Sequence, residues 1–219
     1  MAASFASIGV VGAGAVGSYY GAMLARAGHR VTLIARAPHV AAIERHGLQL
    51  HKGGTVEAVT LGATTEPDAV READLVLFCV KSTDTEAVGR QIAPHLRRDA
   101  LLMSLQNGVD NAPTLAGIVP CTVVPTVVYV ATAMPEPGVV THHGRGDLVV
   151  GPLNASQAND ATLYAICLAR PRSVAAGSVS PATSASSALV SENRIPARPT
   201  ATATASPPAP ADWIRSARA

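Results

Sequence analysis

Lysine is almost missing from this chain: Lys52 and Lys81 are the only two in 219 residues. Charged residues of all kinds make up 15%, against roughly 25% in ordinary globular domains, and the formal net charge is +2 with no clustering. That balance supplies no electrostatic footprint for a polyanion, so nucleic acid and anionic membrane surfaces are excluded as expected partners. Cysteine is scarce and odd in number: Cys79, Cys121 and Cys167 have no CxxC spacing. Disulfide scaffolds and zinc sites are therefore disfavoured, and no metal site is expected. Aromatic residues amount to 3%, with one tryptophan, Trp213.

Membrane signals are also scarce: the one candidate is the stretch Ile8 to Ala25, which carries no charge. It is about long enough to span a bilayer, but it carries Gly12, Gly14, Gly17 and Gly21 and no basic residues precede it. A signal peptide or spanning helix is the weaker reading, and a buried strand followed by a buried helix the stronger one. We therefore expect no membrane association and a cytoplasmic location.

What the chain does have is alternation. Ser7 to Val11 is a short apolar run ending in glycines, Ala15 to Ala27 reads as a helix stopped by Gly28, and Arg30 to Ala35 resumes as a strand rich in β-branched residues. Pro38 to His46 reads as helix, Ala73 to Val80 as strand, Asp84 to Leu96 as helix and Leu101 to Leu105 as strand. Strands separated by helices of this length predict an α/β fold, a Rossmann-like doubly wound parallel sheet. Leu48 to Leu61, alternating around Gly53 and Gly54, reads as an inserted hairpin. Cys121 to Val130, Val139 to Thr141 and Leu148 to Val150 read as further strands, and Ala161 to Ala169 as the start of a helix.

Beyond residue 168 the character changes. From Arg170 to Ala219, 33 of 50 residues are Ala, Ser, Pro or Thr. Such a segment buries too little apolar surface to offset its ordering entropy, so residues 169–219 are expected to be a largely disordered Ala/Ser/Pro-rich tail after a domain at 1–168. Composition fits both a natural linker and translation of a GC-rich gene out of frame.

The residues that bear on chemistry begin with Gly12-Ala13-Gly14-Ala15-Val16-Gly17, a GxGxxG between a strand and a helix. The first glycine permits the turn, the second lets backbone approach a pyrophosphate, and the third lets helix pack on strand. The helix N-terminus adds free N–H groups and partial positive charge. The alternative reading is a glycine turn that serves packing alone. At the end of the next strand, where an acid holds the ribose 2′-hydroxyl of NAD, stands Arg36. A guanidinium there pairs with a 2′-phosphate, which favours NADP; the alternative is a solvated arginine at the sheet edge. Lys81 directly follows LVLFCV, and Asn107-Gly108 follows LLMSLQ, both at strand carboxyl ends where open α/β sheets place ligands. Each could equally be an ordinary loop residue. The pair His142-His143 lacks metal-ligand spacing and reads as surface imidazoles.

Taken in order, GAGAVGSYYGAMLARAGHRVTLIAR, VLFCVKSTDTEAV, LQNGVDN and GPLN resemble the ketopantoate reductase (2-dehydropantoate 2-reductase) family over roughly residues 6–168. The resemblance implies NADPH-dependent reduction of ketopantoate to pantoate in pantothenate biosynthesis. Its cofactor contacts fall by position on Gly12, Ala13, Gly14, Ala15, Val16 and Gly17, on Arg36, Lys81 and Asn107, and on Ala131 in VVYVATAM. The family's second domain is helical and supplies a proton-donating lysine, helical asparagines four apart, a serine and a glutamate. Here no lysine follows Lys81, and beyond residue 150 the only asparagines are Asn154, Asn159 and Asn193 and the only glutamate Glu192. No catalytic residue is assigned, activity is expected to be impaired, and apolar surface left uncovered predicts self-association. Two alternatives stand beside this: a non-catalytic NADP-binding protein, and a dehydrogenase of another small 2-keto or 2-hydroxy acid.

Overall fold

Five buried residues, Ser7–Val11, form the interior strand β1, and the glycine-rich segment after them turns the chain into helix α1, Ala15–Arg26. The computed structural model describes residues 5–151 and Leu153. The expected domain boundary at 168/169, the helix from Ala161 and the expected disordered tail lie outside the described residues.

The chain continues through β2 (Arg30–Ile34), α2 (Ala37–His46), β3 (Leu48–Lys52), β4 (Thr55–Val59) and β5 (Gly62–Thr64). A 3-10 turn at Pro67–Glu72 leads to β6 (Leu75–Phe78), then α3 (Thr85–Ile92), β7 (Leu101–Ser104), α4 (Asn111–Ala116), β8 (Thr122–Glu136) and β9 (Val139–Val150). The nine strands among the described residues lie in the order β4-β3-β9-β8-β7-β6-β1-β2-β5. From β5 across to β8 every pairing is parallel; β8 with β9 and β3 with β4 are antiparallel. The predicted α/β class holds, as a mixed and mostly parallel sheet.

Both faces are covered, which is why the central strands read as unbroken apolar runs. Along β6, Leu75 and Leu77 join Ile8, Val10, Tyr19, Tyr20 and Leu24 in one core, while Val76 and Phe78 join Ile92, Leu102 and Leu115 in the other. The first core holds α1, the second α3 and α4. The chain passes from one face to the other through the 3-10 turn, whose Val70 is fully buried in the second core. Strand order consequently reverses between β1 and β6, and the sheet opens a crevice at their carboxyl ends.

Several expectations need correction. The strands expected at Val139 to Thr141 and Leu148 to Val150 are the two ends of the single strand β9, and the strand expected to stop at Val130 runs on to Glu136. Together they form a long ribbon whose register slips at Tyr129/Val130, Ala131/Thr132 and Ala133/Glu136. Bulges and one solvated face place glycine and polar residues inside these strands, and that hides them from a pattern search. The helix expected to reach Leu96 ends at Ile92 and tightens to 3-10 geometry over Ala93–His95, because Pro94 cannot donate to the α ladder. The hairpin around Gly53 and Gly54 is present, but it joins the main sheet through a parallel pairing of β3 with β9.

Candidate functional site

Four neighbouring strand ends build the crevice, those of β7, β6, β1 and β2. At the end of β1, Gly12 has φ +98° and its N–H donates to the Ile34 carbonyl at 3.0 Å. A Cβ added there would stand 2.9 Å from the Cys79 carbonyl carbon and from the Val80 nitrogen. A Cβ on Gly17 would collide with the Gly12 carbonyl oxygen. Both glycines are thus fixed by backbone lying on backbone. Gly14 differs: its φ is −76°, it is exposed, and a Cβ there would meet nothing within 4 Å. The middle glycine faces open space at the N-cap of α1, where a ligand's backbone-hugging group can come close.

Helix α1 carries no acidic residue in its first turn and no side-chain cap on Gly14. Its first N–H groups, on Ala15, Val16 and Gly17, have no carbonyl one turn earlier in the helix and retain their pull on an anion. Ala13 is buried, and its carbonyl accepts the buried Ser18 hydroxyl at 3.2 Å, which locks the loop onto the helix.

Arg36 sits two residues past β2 as the exposed N-cap of α2, and among the described residues its guanidinium has no ion-pair partner. One turn on, His39 is pushed toward its neutral form, first by burial and then by the Arg36 charge, and its Nδ1 is buried without a hydrogen-bond partner.

Lys81 and Asn107 flank the crevice from β6 and β7. Both are exposed, and their side chains make no hydrogen bond or ion pair among the described residues. Beneath them lies a polar network that sequence reasoning did not anticipate. The Gln106 amide donates to the Val80 carbonyl at 3.1 Å and to the Thr85 hydroxyl at 2.7 Å, and accepts from Ser104 at 3.0 Å. Thr85 donates to Asn111 Oδ1 at 2.9 Å; Asn111 Nδ2 donates to the Asn107 carbonyl at 2.7 Å and to Ser82 at 3.1 Å. The signal was there in LLMSLQ, a glutamine ending a buried strand, where an unpaired amide would be costly.

Ala131 stands in the ribbon, exposed and opposite Gly144. The ribbon runs past the end of β7 and bears on α1: His142 stacks on Tyr19 with centroids 4.5 Å apart and planes 6° from parallel. His142 is therefore a packed residue; His143 is the surface imidazole. Cys79, beside the glycine loop, has its thiol pushed up to about 12 by burial, which favours the protonated thiol over the nucleophilic thiolate. Among the described residues no cluster of three or more His, Cys, Asp or Glu is placed to hold a metal ion. No described helix is long and apolar enough to cross a membrane.

Comparison with known proteins gives a consistent answer. Residues 8–155 match the family model described as ketopantoate reductase PanE/ApbA. A 2-dehydropantoate 2-reductase of Halobacterium salinarum is 36% identical over 163 residues, covering 73% of this chain and 53% of that protein. The crystal structure of a PanE/ApbA family ketopantoate reductase from Ralstonia eutropha is 53% identical with a TM-score of 0.66, over 73% of this chain and 53% of that one. A D-mandelate dehydrogenase solved with NADH and anilino(oxo)acetate is 27% identical with a TM-score of 0.64, over 69% and 50%. The chain spans about half the length of the curated relatives it matches.

Proposed function

The chain belongs to the ketopantoate reductase family, and on that premise we propose that it binds NADPH across the β1/β6 crevice as the cofactor half of a 2-dehydropantoate reductase. The carrying observation is the contrast inside the glycine loop: Gly12 and Gly17 are packed against backbone, whereas Gly14 opens onto solvent at a helix N-terminus with no acid nearby. Packing alone requires the first and third glycines; the open second one suits close approach by a pyrophosphate.

In this reading the N–H groups of Ala13 to Gly17 hold the pyrophosphate and Arg36 pairs with the 2′-phosphate. Lys81 and Asn107 hydrogen-bond the ribose hydroxyls, and Ala131 bounds the crevice from the ribbon. When bound, NADPH supplies the hydride for a 2-keto acid. Hydride arrival at the keto carbon leaves an alkoxide that requires a proton, and no lysine follows Lys81 in this chain to deliver it. Measured on these 219 residues alone, ketopantoate turnover should accordingly be low, and none of them is assigned a catalytic role.

The likeness to D-mandelate dehydrogenase supports a second reading, an NADH-dependent enzyme of aromatic 2-hydroxy acids. Titration with NADPH and NADH, followed by cofactor oxidation with ketopantoate or the keto acid of mandelate, separates them. Tighter NADPH binding with slow ketopantoate turnover is the expected outcome. No binding of either cofactor overturns the proposal, and turnover at the rate of a full-length relative overturns the account of the missing proton donor.

A further inference from the structure

Lys81 and Asn107 share an unusual arrangement: their side chains are unengaged, but the backbone on which each stands is held from below by buried side chains. The carbonyl just before Lys81, that of Val80, accepts from Gln106 at 3.1 Å, and the carbonyl of Asn107 itself accepts from Asn111 at 2.7 Å and from Ser82 at 3.1 Å. Thr85 is the node between the two sides, accepting from Gln106 at 2.7 Å and donating to Asn111 at 2.9 Å. All three inner residues are deeply buried, at 4% exposure for Thr85 and 8% for Gln106 and for Asn111.

Buried polar groups are costly unless fully paired, and an apolar plug between two loops would stabilise as well. What a directional chain of hydrogen bonds adds is a fixed distance. Every donor here has an acceptor, and the chain reads one way from Gln106 through Thr85 and Asn111 to Asn107, so neither loop can shift without breaking a bond.

We propose that Gln106, Thr85 and Asn111 are positioning residues that set the separation of Lys81 from Asn107, and with it the width of the crevice for the ribose and pyrophosphate of a dinucleotide. The inference rests on the cofactor reading above. It requires the network to act through Lys81 and Asn107 and through nothing else. Preorganisation of this kind appears as binding strength, since the ligand need not supply the ordering of its own contacts.

The test is NADPH titration of the full chain, with thermal unfolding of each variant to set a working temperature well inside the folded range. Thr85→Val preserves shape and deletes the hydroxyl; it is expected to weaken NADPH about tenfold, and Thr85→Ser to recover most of the loss. In a Lys81→Ala background the Thr85→Val effect should shrink to about threefold or less, while in an Arg36→Ala background, on the other side of the crevice, it should persist in full. If Thr85→Val does not fold, Ser82→Ala at the exposed end of the network gives the same cycle against Asn107→Ala. Unchanged binding in Thr85→Val, or an undiminished effect in the Lys81→Ala background, overturns the proposal. Failure of the unaltered chain to bind NADPH is the separate result that removes the cofactor reading, and the proposal with it.

Discussion

Gly12 and Val80 are in backbone contact across the switch point: a single added carbon on the glycine would stand 2.9 Å from the nitrogen of Val80 and equally close to the carbonyl carbon of Cys79. Neither neighbour is a flexible side-chain end, and φ at Gly12 is +98°. Gly12→Ala should therefore lose about 2–4 kcal/mol, from strain plus displaced backbone, seen as a fall in Tm of roughly 5–15 °C. Gly14→Val adds its carbon to open space. It should stay within about 1 kcal/mol in stability and weaken NADPH binding by tenfold or more. Paired thermal melts and titrations check both; equal loss of stability in the two variants would refute the division of labour.

Substitution of Arg36 should separate the two nicotinamide cofactors. Its guanidinium is exposed at the end of β2 and has no partner among the described residues. Arg36→Ala should cost NADPH about 1.5–3 kcal/mol of binding and leave NADH nearly unchanged. Fluorescence titration with both cofactors measures the ratio directly, and equal loss for both would place the 2′-phosphate elsewhere.

The buried thiols give a pH signature. Burial pushes Cys79 up to about 12 and Cys121 up to about 11. In the unfolded chain a thiol ionises near pH 8.5. Between that pH and the native values the unfolded state sheds its protons and the native state keeps them. The thiols' contribution to stability is thus complete below about pH 8.5 and declines as pH rises toward 11 or 12. Burial pushes Tyr20 in the same direction. Alkylation at pH 8 should leave Cys79 and Cys121 unmodified until the protein unfolds, and Cys79→Ala should flatten the fall in Tm between pH 8.5 and 10.5. Mass mapping of the labelled peptides and melts across that range are the measurements.

Asp74 anchors the start of β1. Its Oδ2 accepts the N–H groups of Ala6 at 3.0 Å and Ser7 at 3.2 Å, while Oδ1 accepts from Arg97 at 3.0 Å. Asp74→Ala leaves two backbone donors without that partner and should cost about 1–2 kcal/mol. Because the site lies at the opposite end of β1 from the crevice, NADPH affinity should hold, and urea melts beside cofactor titration would show it.

How far the sequence was legible depends on whether the cause of a structure was local. The run Leu75–Phe78 is buried on both faces, so hydrophobicity alone reveals it, and Gly28 at φ +92° marks the end of α1 as read. The places of the glycine loop, Arg36, Lys81 and Asn107 were legible because each lies within a few residues of a strand end. β5 has three residues, and α4 is short with Pro113 near its start, so neither offers a full period of its pattern. The parallel pairing of Gln49 with Val139 spans ninety residues and leaves no trace in either segment. The polar network left one local hint, Gln106 at the end of a buried strand, but its partner Thr85 lies 21 residues from Gln106 and 26 from Asn111, and only the fold brings it to them.

The sheet ends at β5 on one side and β4 on the other. An open edge invites foreign strands to template on it. β5, Gly62–Thr64, is too brief to serve as a template, and β4 carries Glu57 at its middle, tied to Arg26 of α1 at 3.1 Å. An incoming chain would lie alongside that carboxylate while gaining only five residues of ladder. Among the described residues, the two flanks of the sheet thus discourage an added strand, one by brevity and the other by charge.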